Sequence, residues 1–317
     1  WSSDVYSSDL GLETTIRNLR EIAATAHFTV PRTYEALLPH LTRDAELRDR
    51  FFSRLRVFFY AAAGLSQRYF DEMQALAVAA TGEELLWTTG LGSTETGPLA
   101  IHTGDVGAYS GFVGFPVPGV ELKLAPAGQK LEARYRGPNI TPGYWRDPAA
   151  TAALFDDEGF LRSGDAMRLR DAGDLRKGLL FDGRLTEDFK LSSGTWVSVG
   201  PLRARLLLHF GPLVQDVVIA APDREFLGAL IFPSPAAFGR DDLRDGLARV
   251  LAAFAAENPA NSLRIVRAII LDTPPSIDLG EVTDKGSLNQ KAILKNRAAL
   301  VDELYAAEPT GRTIAIP

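Results

Sequence analysis

The sequence predicts an α/β protein, in which a parallel sheet and a small antiparallel sheet are followed by a smaller α+β domain. Three observations support this prediction. Residues 57–87 read as a strand, a loop of small residues, a helix and a second strand, which is the order of a βαβ unit. From Val120 onward apolar and polar residues alternate, as is typical of antiparallel strands. After residues 182–184 a new series of strands and helices begins.

Length, composition and charge limit the class of protein. The chain has 317 residues, 46% of them hydrophobic, which is enough for two packed domains. A net charge of -6 disfavours nucleic acids and anionic membrane surfaces as partners, since both select basic proteins. The absence of cysteine excludes disulfides and thiolate metal sites. The longest apolar run, 57–65, is about half of a membrane span, and we expect an unexported, cytoplasmic protein.

Hydrophobic periodicity and capping residues predict the individual elements. In the first domain we expect helices over 31–41, 44–55 and 66–81 and after Asp147, with Ser66 as a helix cap, and strands at 57–60, 85–87, 121–124, 130–135, 167–170 and 179–181. In the second domain we expect a hairpin at 191–197, helices from Pro201, over 241–257 and from Asn289, and strands at 214–220, 226–232 and 265–271. The loops 61–64 and 90–97 then lie at the carboxyl edge of the parallel sheet, where such sheets bind ligands, and form a slot for a flat ring.

The loop 90–97 contains the chemical groups of a nucleotide-phosphate site. Its glycines let a ligand approach the backbone closely, and the Thr94 hydroxyl can donate to a phosphate oxygen. Glu95 supplies a carboxylate oxygen of the kind that Mg²⁺ prefers. Taken alone, a Gly/Ser/Thr loop of this kind is more often a solvated turn.

Five segments, in order, resemble the adenylate-forming superfamily of acyl-CoA synthetases, luciferases and peptide-synthetase adenylation domains. They are residues 60–66, 92–96, 114–119, 162–165 and 183–190. The closest resemblance, through 187–191, 194–202 and 283–290, is to feruloyl-CoA synthases and similar aromatic-acid ligases. It begins near Ile16 and covers only the C-terminal half of such an enzyme. The glycine-rich loop that grips the triphosphate, and much of the acid pocket, lie upstream in those enzymes and are absent here.

The resemblance implies an ATP-dependent carboxylic acid–CoA ligase that works through an acyl-adenylate, with ATP/AMP, Mg²⁺ and CoA as cofactors. Because the triphosphate-binding loop is absent, we expect the isolated chain to be inactive. Residues 1–182 would be the C-terminal portion of the large AMP-binding domain, and 183–317 the small mobile C-terminal domain. The resemblance implies the following nucleotide-binding residues in the two domains. Ala62, Ala63 and Gly64 would contact adenine, Thr94 the α-phosphate, Asp165 the ribose and Arg184 ribose or phosphate oxygens. Glu95 would hold Mg²⁺ on the phosphates.

The same resemblance assigns three further residues to the second domain. Lys190 and Gly194 would lie on the hairpin that admits the CoA thiol after the domain turns about its hinge. Lys285 would neutralise charge during adenylation, with Lys291 as the alternative, because Ser287 follows the motif glycine where the family commonly has lysine. Leu91 stands where a tyrosine often stacks on adenine, and Thr186 at the hinge position often occupied by Asp or Lys.

Other interpretations stay open at this stage. The chain could be a non-catalytic AMP- or CoA-binding module, or a degenerate fragment whose core survives only as packing. The acid substrate could be aromatic or fatty, because most of the acid pocket lies upstream. The Asn139-Ile140-Thr141 sequence matches a glycosylation sequon and has no expected role in a cytosolic chain. The four histidines lack metal-ligand spacing, and we interpret them as structural.

Overall fold

The structure is a computed structural model that describes residues 9–104, 107–283 and 288–316. The chain divides into two compact units, 1–182 and 183–317, and the division falls within one strand, between Asp182 and Gly183. In the first unit the elements are α1 (Asp9–Glu21), β1 (Ala26–Thr29), α2 (Pro31–Arg43), α3 (Ala45–Phe52), β2 (Val57–Ala61), α4 (Gln67–Thr81), β3 (Leu86–Leu91), β4 (Ile101–His102), β5 (Phe112–Pro116), β6 (Glu121–Ala127), β7 (Lys130–Arg136), α5 (Pro148–Leu154), β8 (Leu161–Leu169) and β9 (Leu179–Arg184).

The described strands of the first unit form one nine-stranded sheet in the order β1-β2-β3-β4-β5-β9-β8-β7-β6. Strands β1, β2 and β3 are parallel, and Phe58 lies opposite Trp87 in their register. The pairs β3–β4, β4–β5, β5–β9, β7–β8 and β6–β7 are antiparallel. The predicted parallel and antiparallel parts are therefore continuous, because β5 pairs with β4 on one side and with β9 on the other.

Helices cover one face of the parallel strands. Phe58, Tyr60 and Trp87 point to this face and pack against residues of α2, α3 and α4. Phe58 stacks on Trp87 with ring centroids 4.2 Å apart. Since side chains alternate along a strand, Phe59 points to the opposite face. There it contacts the ring of Phe28, which is 67% exposed.

The second unit has a sheet of its own. Its elements are β10 (Phe189–Lys190), β11 (Trp196–Val197), α6 (Val199–Phe210), β12 (Val214–Ala220), β13 (Leu227–Pro233), α7 (Leu243–Glu257), β14 (Ile265–Ile270), α8 (Gln290–Asn296), α9 (Ala298–Leu304) and β15 (Thr313–Ala315). Strands β12, β13, β14 and β15 form a sheet in that order, and β10 pairs with β11 as a separate hairpin. Val217 and Ile231 belong to one apolar cluster with α6 and α7, whereas Val218 and Leu230 belong to another with α8 and α9.

The α/β fold class and the parallel β2–α4–β3 unit are confirmed. Ser66 is the N-cap residue of α4, as predicted, although its side chain forms no capping hydrogen bond. The prediction that the loop begins at Gly90 is wrong, because Gly90 and Leu91 belong to β3, where Gly90 pairs with His102 and Leu91 with Ile101. Among the described residues, every helix is too short or too polar to cross a membrane.

Candidate nucleotide site

Two loops lie side by side at the carboxyl edge of the parallel strands. Ala61 and Gly90 are opposite each other where β2 and β3 end, so the loop 62–66 and the turn 92–97 start from neighbouring points. Ala62 has φ of 76°, a left-handed conformation that costs a non-glycine residue roughly 1 to 2 kcal/mol. Ala62 and Gly64 are exposed and Ala63 is half-buried. The loop thus presents backbone and methyl groups at this edge, and its role as a ring-binding slot stays a prediction.

The turn after β3 holds Thr94 and Glu95 in one short 3₁₀ turn, 94–96. The buried Thr96 closes it, because its hydroxyl accepts from the Ser93 backbone nitrogen at 2.8 Å. A Cβ on Gly92 would lie 2.6 Å from the carbonyl oxygen of Pro98, so this position admits only glycine without rearrangement. Thr94 is left exposed and Glu95 half-buried.

The Glu95 carboxylate is held by a residue that the sequence analysis did not single out. The Tyr144 hydroxyl donates to Glu95 Oε1 at 2.7 Å, and this bond raises the pKa of Tyr144 above its ordinary value. The segment carrying Tyr144 also fixes the backbone of the turn. Thr141 N donates to the Glu95 carbonyl at 2.8 Å, and Asn139 Nδ2 donates to the Thr96 carbonyl at 2.7 Å.

A signal for this segment was present in the sequence. Gly143, Tyr144 and Trp145 place two aromatic residues in a polar loop just before the helix cap Asp147. Asn139 belonged to the sequon that we set aside, and in the structure its amide supports the turn instead. The partner on the other side of the Tyr144 bond is 49 residues away, which periodicity does not reveal.

Asp165 lies on a bulge of β8. The β7–β8 pairing passes from Glu132–Ala166 to Arg134–Arg162, so residues 163–165 face the single residue Ala133. Gly164 has φ of 70°, and the Asp165 backbone nitrogen donates to the Ser163 hydroxyl at 3.0 Å. The side chain is half-buried. Burial, followed by the negative charge of Asp165, raises the pKa of the nearby Tyr135 well above its usual range.

These candidate residues are not all adjacent in the sheet. The Ala62 loop and the Glu95 turn extend from neighbouring strands, whereas three strands separate β3 from β8, which carries Asp165. Leu91 is half-buried at the end of β3 and packs against the cluster that contains Ile101. Part of the Leu91 side chain is therefore buried against this core cluster.

In the second unit the candidate residues are exposed. Arg184 ends β9, and the Lys190 ammonium lies 5.8 Å from the ring centroid of Trp196. Gly194 has φ of 81° in the turn of the hairpin, and its nitrogen donates to the Leu191 carbonyl at 2.8 Å. Lys291 is exposed on α8. Lys285 lies outside the described residues, so its assignment stays a prediction.

The donor set at the turn fits a magnesium ion bound together with a nucleotide. Within the described residues, no group of three or more His, Cys, Asp or Glu side chains could hold a metal by itself. Mg²⁺ is usually bound through one or two carboxylates, with phosphate and water oxygens as the other ligands. Glu95, oriented by Tyr144 at the edge of the loop pair, can supply such a carboxylate.

Comparison with known families decides the assignment of the fold. Residues 5–145 match the family model described as AMP-binding enzyme, and residues 188–309 match that of the AMP-binding enzyme C-terminal domain. The two matches follow one another and together span most of the chain. The chain belongs to the AMP-binding enzymes. These are the adenylate-forming proteins that the five sequence segments resemble.

Known AMP-binding enzymes that are similar to this chain are longer than it. It is 25% identical over 241 residues to the long-chain-fatty-acid–[acyl-carrier-protein] ligase AEE15 of Arabidopsis thaliana, covering 68% of this chain and 32% of the ligase. It is 37% identical over 210 residues to a long-chain-fatty-acid–CoA ligase of Escherichia coli O6:H1, covering 64% of this chain and 34% of the ligase. The A domain of a carboxylic acid reductase from Segniliparus rugosus, solved with AMP and a co-purified carboxylic acid, matches with a TM-score of 0.69 at 22% identity, covering 93% of this chain and 49% of that one.

Proposed function

We propose that this chain is the nucleotide-binding part of an ATP-dependent carboxylic acid–thiol ligase that forms an acyl-adenylate. One observation carries the proposal: in an AMP-binding enzyme, the Thr94–Glu95 turn lies beside the Ala62 loop at the carboxyl edge of the parallel strands. The similarity of the chain to fatty-acid ligases supports the reaction class.

In the proposed reaction, a carboxylate oxygen of the acid attacks the α-phosphorus of ATP, and the bond to the bridging oxygen breaks to release pyrophosphate. The thiol then attacks the acyl carbonyl, AMP leaves, and the thiol proton passes to solvent. Thr94 donates to the α-phosphate, and Asp165 accepts from the two ribose hydroxyls. The Ala62–Gly64 loop lies against the adenine, and Arg184 contacts ribose or phosphate oxygens. Mg²⁺, held by Glu95, supplies positive charge to the phosphate groups when it is bound.

The second unit has the role of a mobile domain in this proposal. Lys285 neutralises charge during adenylation, and the hairpin with Lys190 and Gly194 then admits the thiol of CoA. We further propose an aromatic substrate of the feruloyl type, on the strength of the segments 187–191, 194–202 and 283–290. A fatty acid is the competing substrate class, since the named relatives are long-chain fatty-acid ligases.

Binding of non-hydrolysable acyl-adenylates tests the proposal. Isothermal titration calorimetry would compare feruloyl-sulfamoyl-adenosine with its decanoyl counterpart, for the unchanged chain and for Thr94→Val. We expect both ligands to bind, the feruloyl analogue more tightly, and Thr94→Val to weaken both by about five- to tenfold through loss of one hydrogen bond.

The outcomes separate the parts of the proposal. Tighter binding of the decanoyl analogue would overturn the aromatic substrate and retain the ligase. Failure of the chain to bind either analogue, or affinities untouched by Thr94→Val, would overturn the nucleotide site itself.

A further inference from the structure

The turn 92–97 and the segment 139–144 are joined by hydrogen bonds of two kinds. Thr141 and Asn139 bond to backbone carbonyls and fix where the turn lies. Tyr144 bonds to the carboxylate of Glu95 itself. We propose that Tyr144 is a positioning residue, which orients the Glu95 carboxylate for a divalent cation bound with a nucleotide. This inference rests on the proposed function of Glu95.

The Tyr144–Glu95 bond has a fixed direction. An ionised carboxylate has acceptors only, so the phenol must donate, and the 2.7 Å distance is that of a short hydrogen bond to a charged group. When one oxygen of a carboxylate is held by such a bond, rotation of the carboxylate group is restricted and its second oxygen keeps a fixed direction. A metal ligand that is already oriented loses less rotational freedom when the cation binds, and removal of such supporting partners typically costs about 10- to 100-fold in metal affinity.

Tyr144 can orient Glu95 because it is itself held. Its backbone nitrogen donates to the Thr151 hydroxyl of α5 at 2.9 Å, and that hydroxyl donates to the Asp147 carbonyl at 2.8 Å. Gly143 approaches the same threonine so closely that a Cβ would lie 2.4 Å from Thr151 Cγ2. The adjacent α5 has no fully buried residue, so these contacts with Tyr144 are a distinctive feature of an otherwise peripheral helix.

The location of Tyr144 favours this role over a packing role. The residue is 42% exposed and lies outside the apolar clusters of its unit. Its neighbour Trp145 is 88% exposed and belongs to the same turn. A change of the Tyr144 hydroxyl therefore removes the bond to Glu95 with little effect on the core, and Trp145 offers a control in the same segment.

The test is Mn²⁺ binding by the full 317-residue chain in the presence of saturating ATP, followed by electron paramagnetic resonance of free Mn²⁺. Metal-free AMP affinity is measured in parallel by calorimetry. We expect Glu95→Gln to weaken Mn²⁺ binding most, Tyr144→Phe by about tenfold and Thr151→Val by less. Trp145→Ala should retain the affinity of the unchanged chain. Metal-free AMP affinity should stay constant in all four variants.

A double variant separates orientation from general disturbance. If Tyr144 acts through Glu95, Tyr144→Phe should have almost no additional effect in a Glu95→Gln background. Full additivity, or an unchanged Mn²⁺ affinity in Tyr144→Phe alone, would overturn the inference while leaving Glu95 as the metal ligand. A parallel loss of AMP affinity in Tyr144→Phe would assign it a structural role. Unchanged Mn²⁺ affinity in Glu95→Gln, or no Mn²⁺ binding by the unchanged chain, would instead overturn the proposed metal site on which the inference rests.

Discussion

The sheets of the two units are covered differently. In the second unit, neighbouring residues of one strand, Leu230 and Ile231, belong to separate apolar clusters, so helices pack on both faces. In the first unit, Phe58 is buried under helices, whereas the other face of the parallel strands bears Phe28 and Leu86, which are 67% and 37% exposed. The Ala62 loop and the Thr94–Glu95 turn lie at the carboxyl edge of these parallel strands.

This difference predicts how each unit tolerates substitution. Burial on both faces makes every position of a central strand costly to change, because truncation leaves a cavity whichever way the side chain points. Burial on one face makes the cost alternate with the period of the strand. In the first unit, residues on the less buried face of β2 can therefore be substituted without loss of the core.

Alanine substitutions of adjacent residues should give the largest difference in unfolding free energy between the two faces. We expect Phe58→Ala to lower the free energy of unfolding by about 3 to 5 kcal/mol, and Phe59→Ala by roughly 1 to 2 kcal/mol. In the second unit, Leu230→Ala and Ile231→Ala should each cost about 2 to 5 kcal/mol. Urea denaturation followed by hydrogen exchange of each unit would measure the four values. Equal losses for Phe58→Ala and Phe59→Ala would contradict the difference between the faces.

The second comparison concerns an ion pair that fastens the helices over one face of the second sheet. Arg297, between α8 and α9, donates to both carboxylate oxygens of Glu281, at 3.0 and 2.7 Å, and the Glu281 side chain is 1% exposed. Arg297 lowers the pKa of Glu281 below its ordinary value. Arg297→Met would leave a buried carboxylate without its cationic partner, and we expect a loss of about 3 to 5 kcal/mol in the unfolding free energy of this unit.

The control for Arg297 is an exposed pair of the same chemistry. Arg240 and Asp242 are 2.7 Å apart and solvated, so Arg240→Met should change stability little.

The buried pair of Arg297 and Glu281 also predicts a pH dependence of stability. Because the folded pKa of Glu281 is lowered, its contribution is present at neutral pH and is lost as the pH falls through that folded value. Equal effects of Arg297→Met and Arg240→Met would show that burial of the pair is unimportant.

A smaller effect, again on the covered face of the first sheet, comes from His27. Burial lowers its pKa from 6.5 to about 4, and its ring lies 5.3 Å from those of Tyr34 and Phe51. Between these pH values the unfolded chain binds a proton at His27 that the folded chain does not. Stability should therefore fall as pH decreases from 6.5 to 4, by about 3 kcal/mol.

Thermal unfolding of His27→Phe across this pH range would check the effect. The variant should lose most of the pH dependence and keep the aromatic packing. His102, on the other face of the sheet, has a pKa that burial also lowers, but it is half-buried, and His102→Phe should change the pH profile less. An unaltered profile in His27→Phe would contradict the account.

Local periodicity predicted most of the long or alternating elements, but it missed the 13-residue helix α1. Strand β2, helix α4 and strand β3 were found in this way, together with the turn that carries Thr94 and Glu95. Strands β4 and β15 were missed because two and three residues do not establish a period. The continuous sheet could not be predicted, since it depends on Phe112 pairing with Leu180, far along the chain. The same limit applies to the Tyr144–Glu95 bond, which joins two loops.

Discrimination between AMP and 2′-deoxy-AMP is the measurement that tests the central claim most directly. If Asp165 accepts from both ribose hydroxyls, calorimetry of the 317-residue chain should show AMP binding roughly ten- to a hundredfold tighter than 2′-deoxy-AMP. Asp165→Ala should weaken AMP binding and abolish the difference, whereas Asp157→Ala, an exposed carboxylate in the same unit, should leave both affinities unchanged. Equal affinity of the unchanged chain for the two nucleotides, or discrimination that survives Asp165→Ala, would contradict the account.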